Sequence, residues 1–522
     1  MTRLTTITVA VLALSASLLA AAEQKANLGA PAPVTPEVEG GLPQYRAEIA
    51  YSAAAKVWLV VWEDGRVATD ETARDGRAQD IYAARVSLDG KTLDPKGIPI
   101  CTAKDFQGWP CVASDGADFL VAWHDMRSGK DWDVYAARVS GEGKVQDKDG
   151  FLVAGGERNQ CLPDLVFGGG SYYAVWMNAK HFPEYRVCGG RVSPAGKPLD
   201  GEGTELMRFM TDKEIDLWRK APFAPGKGGS GWHDFGKRSG HSRQPCRPTL
   251  ATNGKVHVAS TYMSGYGANG SWSWQEYRLR SVDAASGKPT GEMLPLKTGT
   301  SVKYAQFGYA WGNLKNRLGL AGTDKGFLIA GYHNKHGFGS DGSGIRVVFF
   351  LDAAGAPVTE AMTGDKGKKA TLPKVRLLVE ETVQRGEGYR TGGVRSNKLA
   401  LAWDGVRALH VSDRYIQTKS GKAGRYKGDL DVVGIFLDAD GQRLSDVAAC
   451  TSVPPDKREY QRKGKKLTAE PPRITPFLVA TGEAVQGAPA VAAGAEGSFL
   501  VVWQEQPAKG PSRIMARLVR AR

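Results

Sequence analysis

The chain has 522 residues, 42% of them hydrophobic, with 65 glycines and a formal net charge of +14. That balance suits many short strands joined by tight turns. A positive excess attracts acidic polymers, but the export signal at the start of the chain disfavours nucleic acid among them.

Residues 1–22 read as a cleavable signal peptide. Arg3 supplies the positive region, Val9 to Leu19 the apolar run, and Ala20-Ala21-Ala22 the small-residue cleavage site. The apolar run falls short of the roughly 20 residues needed to span a bilayer, and no later segment is long and apolar enough. The expected location is secreted or periplasmic, with no transmembrane segment in the mature chain. Six cysteines (Cys101, Cys111, Cys161, Cys188, Cys246 and Cys450) permit disulfides in an exported protein. Their connectivity is open from sequence; Cys101 with Cys111 closes a short strand-to-strand connection and is the preferred local pair. No Cys-x-x-Cys occurs, which argues against a structural zinc site and a thioredoxin-type motif.

Residues 23–43 come next, and the stretch around Ala32–Val38 is free to act as an extra strand. A pattern then appears twice in near-identical form: Leu-Val-x-Trp-x-Asp-x-Arg, followed by Asp-[Ile/Val]-Tyr-Ala-Ala-Arg-Val. The first copy runs from Leu59 to Val86 through Trp62, Asp64, Arg66, Asp80, Tyr82 and Arg85. The second runs from Leu120 to Val139 through Trp123, Asp125, Arg127, Asp133, Tyr135 and Arg138. A repeat of roughly 40–60 residues made of short strands predicts the blades of a β-propeller. Blade 1 is expected to use Ala47–Tyr51, Trp58–Trp62, Ile81–Val86 and Ile98–Cys101. Blade 2 takes Pro110–Ala113, Phe119–Trp123, Val134–Val139 and Phe151–Val153; blade 3 takes Leu162–Phe167, Tyr172–Trp176 and Val187–Val192. The pattern decays in blade 4 (Pro248–Ala251, Val256–Ser260, Tyr277–Val282, Met293–Leu296) and blade 5 (Leu318–Ala321, Phe327–Gly331, Ile345–Leu351). Blade 6 has Leu399–Trp403, Ala408–Ser412, Val432–Leu437 and a late Phe477–Ala480; blade 7 has Pro489–Ala492, Phe499–Trp503 and Ile514–Val519. The chain ends after the third strand of blade 7, so the N-terminal segment is expected to close the ring.

These motifs resemble the repeats of secreted bacterial β-propeller proteins. The resemblance covers nearly all of the mature chain and implies an all-β fold: a single propeller, most simply of seven four-stranded blades, spanning 44–522. It implies no particular activity. The repeated Trp62, Trp123, Trp176 and Trp503 are expected to pack between blades, and Asp125, Arg127 and Asp133 to tie strand b to strand c. A staple is needed in every blade, whereas a catalytic group is needed once.

The a–b and c–d turns are short, whereas the b–c loops and the insertions at 207–244, 363–397 and 453–473 are long. Assigning those insertions to d–a connections puts all the elaboration on one face, where binding is expected. Aromatics with small polar neighbours cluster at Tyr262, Tyr266, Trp272 and Trp274, a composition that suits sugar rings; His333 and His336 lie in a neighbouring loop. These six residues are the candidate ligand contacts. No catalytic residue, metal site or cofactor is assigned. The His333-x-x-His336 spacing is loose, the sialidase Asp-box is absent, and Trp176-Met177-Asn178 is followed by Ala179 where an invertase-type nucleophile would need Asp. No Gly-x-Ser-x-Gly elbow occurs. Lys457, Arg458, Arg462, Lys463, Lys465 and Lys466 form a basic cluster suited to a solvated loop or an anionic glycan. The expected function is an exported, non-catalytic binding or scaffold propeller with a glycan or an exported protein as partner. The alternative is an extracytoplasmic enzyme acting on polysaccharide.

Overall fold

In blades 1 and 2 the second strand is buried along its whole length, at Val57–Asp64 and Phe119–Asp125. Such a strand must be covered on both faces, which explains its near-continuous apolar run. The covering layers are neighbouring blades. The computed structural model describes residues 27–35, 43–66, 79–182, 184–213, 216, 241–245, 247–267, 273–296, 318–334, 344–363, 369–380, 399–418, 427–441, 444, 459–462, 465–468, 477–482 and 484–521.

Among the described residues, seven antiparallel blade sheets of a–b–c–d order stand beside two two-stranded hairpins. Their strands are Gln44–Ser52, Val57–Asp64, Asp80–Ser87 and Ile98–Cys101 in blade 1, then Gln107–Ser114, Phe119–Asp125, Asp133–Val139 and Phe151–Ala154 in blade 2. Blade 3 has Gln160–Gly168, Ser171–Asn178, Arg186–Val192 and Thr204–Met207; blade 4 has Thr249–Thr252, Val256–Gly267, Ser273–Asp283 and Pro289–Leu296. Blade 5 has Gly319–Thr323, Gly326–Asn334, Gly344–Leu351 and Val375–Glu380; blade 6 has Leu399–Trp403, Ala408–Thr418, Lys427–Leu437 and Phe477–Ala480. Blade 7 takes Val485–Ala493, Ser498–Gln506 and Arg513–Arg520 from the C-terminus, and Asn27–Leu28 and Ala32–Pro33 pair with the outer edge of Arg513–Arg520. The result is a seven-bladed β-propeller.

The core is divided among the blade interfaces. One cluster joins blades 1 and 2 through Leu59, Val61, Phe119 and Trp123; the next joins blades 2 and 3 through Leu120, Ala122, Tyr172 and Trp176. The ring closes where Trp58, Trp62 and Val60 meet Leu500, Val502 and Ile514 of blade 7. Trp62, Trp123, Trp176 and Trp503 are all fully buried wedges in such clusters. Truncating one to Ala removes roughly 3–5 kcal/mol.

The repeat residues form two staples. Asp64 accepts from Trp62 Nε1 at 2.8 Å and from Arg66 Nε and Nη2 at 2.8 and 2.7 Å. Asp125 repeats this with Trp123 Nε1 at 2.8 Å and Arg127 at 2.9 and 2.6 Å. Each guanidinium then lies 3.9 Å over the strand-c tyrosine, Tyr82 or Tyr135. A second staple joins a strand-c arginine to an aspartate in the following turn: Arg85 with Asp94, Arg138 with Asp147, Arg191 with Asp200. The next blade's turn glycine rests on that pair. A Cβ on Gly143 (φ +85°) would meet Arg85 Nε at 2.7 Å, and one on Gly196 would meet Arg138 Nε at 2.9 Å.

Three expectations need correction. No disulfide joins Cys101 to Cys111. Cys101 lies in the cluster between blades 1 and 2 and Cys111 in the one between blades 2 and 3, so proximity in sequence does not become proximity of sulfurs. Burial pushes the Cys101 thiol up to about 12. The insertions also fall differently. Thr359–Thr363 pairs with Lys369–Pro373 between strands c and d of blade 5, and strand d itself (Val375–Glu380) lies inside the expected 363–397 insertion. Glu459–Arg462 pairs with Lys465–Thr468 between strands c and d of blade 6. Both hairpins therefore leave on the a–b/c–d side; of the expected insertions, the first runs between Met207, which ends strand d of blade 3, and His241–Pro245, which pairs with strand b of blade 4, and part of the second follows Glu380. Finally, strands b and c of blades 4 to 6 run into the segments expected as b–c loops, strand b reaching Gly267, Asn334 and Thr418 and strand c starting at Ser273, Gly344 and Lys427.

Candidate functional site at the axial mouth

The inner strands share a local irregularity. In blades 1, 2, 3 and 7 the a–b register shifts between Tyr45 and Glu48, Gly108 and Cys111, Cys161 and Asp164, and Gly487 and Ala490. Each bulge holds a non-glycine residue in the left-handed region: Arg46 at φ 53°, Trp109 at 50°, Leu162 at 55° and Ala488 at 52°. That conformation costs roughly 1–2 kcal/mol per residue. Its recurrence in four blades makes it a feature of the inner strand, where it re-aims the bulged side chain beside the b–c and d–a connections; what differs between blades is which side chain is re-aimed. The sequence signal is a repeated Gln-x-x-Pro at Gln107–Pro110, Gln160–Pro163 and Gln486–Pro489, with Gln44–Ala47 as a variant.

At blades 1 and 2 the bulges build a platform. The Arg46 guanidinium lies 3.7 Å from the centre of the Trp109 ring, and both residues are half-buried. Glu63, fully buried, holds them: it is ion-paired with Arg46 and accepts the Trp109 backbone N–H at 2.6 Å. His124 supports Trp109 from below, with ring centroids 4.8 Å apart, and packs on Trp132 at 4.2 Å. Burial, with the charges of Arg46 and Arg247 adding to it, holds the His124 imidazole well below its usual range, so it is a neutral prop at ordinary pH. Gly108 is required here, since a Cβ would lie 2.3 Å from the Phe106 ring.

Arg247 crosses to the same place from blade 4. Its guanidinium donates to Pro110 O at 3.3 Å and Pro163 O at 3.0 Å, and approaches Glu48 at 3.8 Å. One buried side chain thus ties the bulges of blades 2 and 3 to strand a of blade 1. Asp164 in turn accepts the Leu250 N–H at 2.8 Å.

Of the candidates read from sequence, Tyr262 and Tyr266 lie in strand b of blade 4, Trp274 in its strand c, and His333 in strand b of blade 5. Trp272 and His336 lie outside the described residues. Tyr262 pairs with Tyr277, Tyr266 with Ser273 and Trp274 with Gly265; strand alternation then puts the Trp274 and Tyr266 positions on opposite faces of the hairpin. His124 is a buried strand residue. His257 is buried in a strand, with Nδ1 2.9 Å from Thr252 Oγ1, and burial lowers its pKa to about 4. Arg46, Glu63, Trp109 and Arg247 were not singled out by sequence because none is a repeated position: Glu63 is the variable residue of Trp62-Glu63-Asp64, and the other three lie outside the motif.

No family model matches the chain, and no curated protein matches it. Solved structures do match. An unknown-function protein from Dyadobacter fermentans is 10% identical, with a TM-score of 0.44, over 95% of this chain and 99% of that one. The polysaccharide lyase Uly1 is 10% identical, with a TM-score of 0.42, over 90% of each chain. An α-L-arabinanase of Penicillium chrysogenum, complexed with arabinobiose, is 9% identical, with a TM-score of 0.37, over 94% of this chain and 98% of that one. Likeness at this level does not transfer chemistry.

Proposed function

We propose that this protein is a non-catalytic binding propeller, acting outside the cytoplasm, that takes a glycan at the axial mouth. The observation that carries this reading is the Arg46–Trp109 platform, part-exposed at the axis and held by Glu63 and His124. With Arg46 over one face of the indole and His124 against the other, the stack offers its edge: the apolar rim of the indole to the C–H side of a sugar, and the outer guanidinium donors to hydroxyl or carboxylate groups. A rigid, pre-positioned aromatic loses little entropy on binding. Glu63 is better suited to hold this platform than to move protons, because Arg46 and the Trp109 amide already engage its oxygens. The strands that carry Tyr262, Tyr266 and Trp274 extend on the same side and offer a second wall.

The test is incubation with neutral and acidic polysaccharides, following both depletion from solution and release of reducing ends. Depletion without cleavage is expected, and Trp109→Ala should weaken it about tenfold, the worth of one aromatic contact. New reducing ends that survive purification would replace the binder by an enzyme. Depletion unaffected by Trp109→Ala would move the site away from the axis.

A further inference from the structure

Blade 3 breaks the first staple. Where blades 1 and 2 have Trp-x-Asp-x-Arg, blade 3 has Trp176-Met177-Asn178-Ala179-Lys180. The strand-c tyrosine is also replaced: Trp123 stands opposite Tyr135, but Trp176 stands opposite Cys188. Trp176 Nε1 accordingly has no hydrogen-bond partner among the described residues. Lys180 does not fill the arginine's place. Its ammonium turns outward to Glu202 at 2.8 Å, with both side chains well exposed.

A cavity of about 340 Å³ lies there, lined by Ala154, Gly155, Gly156, Glu157, Gln160, Asn178, Lys180 and Glu202. Its walls correspond to the surroundings of a guanidinium one blade earlier. Arg127 touches Asp125, the Asp149 carbonyl and the thiol of Cys101; by strand position these are Asn178, Glu202 and Ala154. Gln160 adds an acceptor. It is 2% exposed, its amide donates to Glu157 O at 3.2 Å, and its carbonyl oxygen has no partner among the described residues. That carbonyl also lacks a partner at Gln107 and Gln486 among the described residues, and in blade 2 Arg127 does not reach it; in blade 3 it borders the cavity. Arg186, at the position of Asp133, does not oppose a cation here, because Glu184 and Glu205 engage it at 2.9 and 2.5 Å.

We propose that this cavity binds a guanidinium group supplied from outside the chain, in the place where blades 1 and 2 hold their own. By analogy with Arg127 the acceptors are Asn178 Oδ1, which also takes the Lys180 N–H at 2.8 Å, and the Glu202 backbone carbonyl; Gln160 Oε1, the Glu157 carboxylate and the Glu202 oxygen not paired with Lys180 line the rest of the cavity. A planar, multiply donating cation matches them better than an ammonium does. The source is either a small guanidino compound or an arginine side chain of a peptide. The inference is independent of the axial reading.

The experiment is a calorimetric titration of the full chain with Nα-acetyl-L-arginine amide. Saturable one-to-one binding is expected. The citrulline counterpart, isosteric and uncharged, should bind at least about tenfold more weakly. Asn178→Asp with Lys180→Arg restores the Trp-x-Asp-x-Arg motif, so the chain's own guanidinium should fill the cavity and abolish binding while the melting temperature holds or rises. Should that variant not fold, Glu157→Gln with Glu202→Gln keeps the cavity open and should still weaken binding several-fold. A capped peptide with one central arginine separates the sources: binding as tight as the free compound points to a protein partner, and loss of binding points to a small molecule. Absence of saturable binding to the arginine probes, equal affinity for citrulline, or unchanged affinity in the folded variants would overturn the proposal.

Discussion

Blades 2 and 3 have the same strand order and the same interior tryptophan, yet their b–c corners differ. In blade 2 the Trp123 N–H, the Asp125 carboxylate, the Arg127 guanidinium and the Tyr135 ring form one closed network. In blade 3, Asn178 and Lys180 leave the Trp176 N–H without a partner among the described residues and open a cavity instead. The fold survives because the interblade cluster around Trp176 is apolar and does not need the staple. The difference teaches that the staple adds stability locally, and that a blade released from it gains room for something else.

The largest expected effect tests the stapled side. Asp125→Ala leaves a buried indole N–H and an arginine without their acceptor and should cost about 3–5 kcal/mol in chemical unfolding. Asn178→Ala, the matched change in blade 3, should cost under about 1 kcal/mol. Equal losses would dissolve the comparison. Next, Arg138→Ala removes the bidentate contact to Asp147, at 2.8 Å through each of Nε and Nη2. A pair about one-quarter exposed should give about 1–2 kcal/mol.

Blade 1 sharpens the comparison through pH. Asp80 stands opposite Asp64 on the adjoining strand. Burial, reinforced by the Asp64 charge, raises its pKa to about 7. The folded state therefore favours the protonated acid. Its contribution is full below the unfolded value near pH 4 and is lost as pH rises through about 7. Asp80→Asn should match the parent near pH 4 and melt on the order of 2 °C higher at pH 8; a difference independent of pH would contradict the assignment. The smallest effect concerns the bulges. Ala488, at φ 52°, should gain about 0.5 kcal/mol on replacement by Gly, the left-handed cost less the added chain entropy. Trp109→Gly should likewise be more stable than Trp109→Ala, which separates strain from ligand contact.

The architecture was readable because its determinants repeat. The Trp-x-Asp-x-Arg copies mark strand b, and Asp-[Ile/Val]-Tyr-Ala-Ala-Arg-Val marks strand c. Blade 5 was harder: its strand d, Val375–Glu380, comes after a hairpin, and no periodicity tells a hairpin inserted before strand d from one inserted after it. The Cys101–Cys111 pairing failed for a related reason, since nearness along the chain ignores which blade interface each side chain enters.

Alternating and continuous apolar runs, turn glycines and the tryptophan repeat by themselves determined seven short-stranded units, because those patterns follow from local backbone geometry and from burial between layers. The axial site was decided only in three dimensions. Arg46, Glu63, Trp109, His124 and Arg247 lie up to 201 positions apart, between 46 and 247. They meet because ring closure brings the starts of successive inner strands to one axis, and the left-handed bulges place Arg46 and Trp109 in contact. The blade 3 cavity was written as an Asn and a Lys in a degenerate repeat. That this loss makes room, rather than collapsing, depended on the glycines, the buried Gln160 and the outward turn of Lys180, which only packing could reveal.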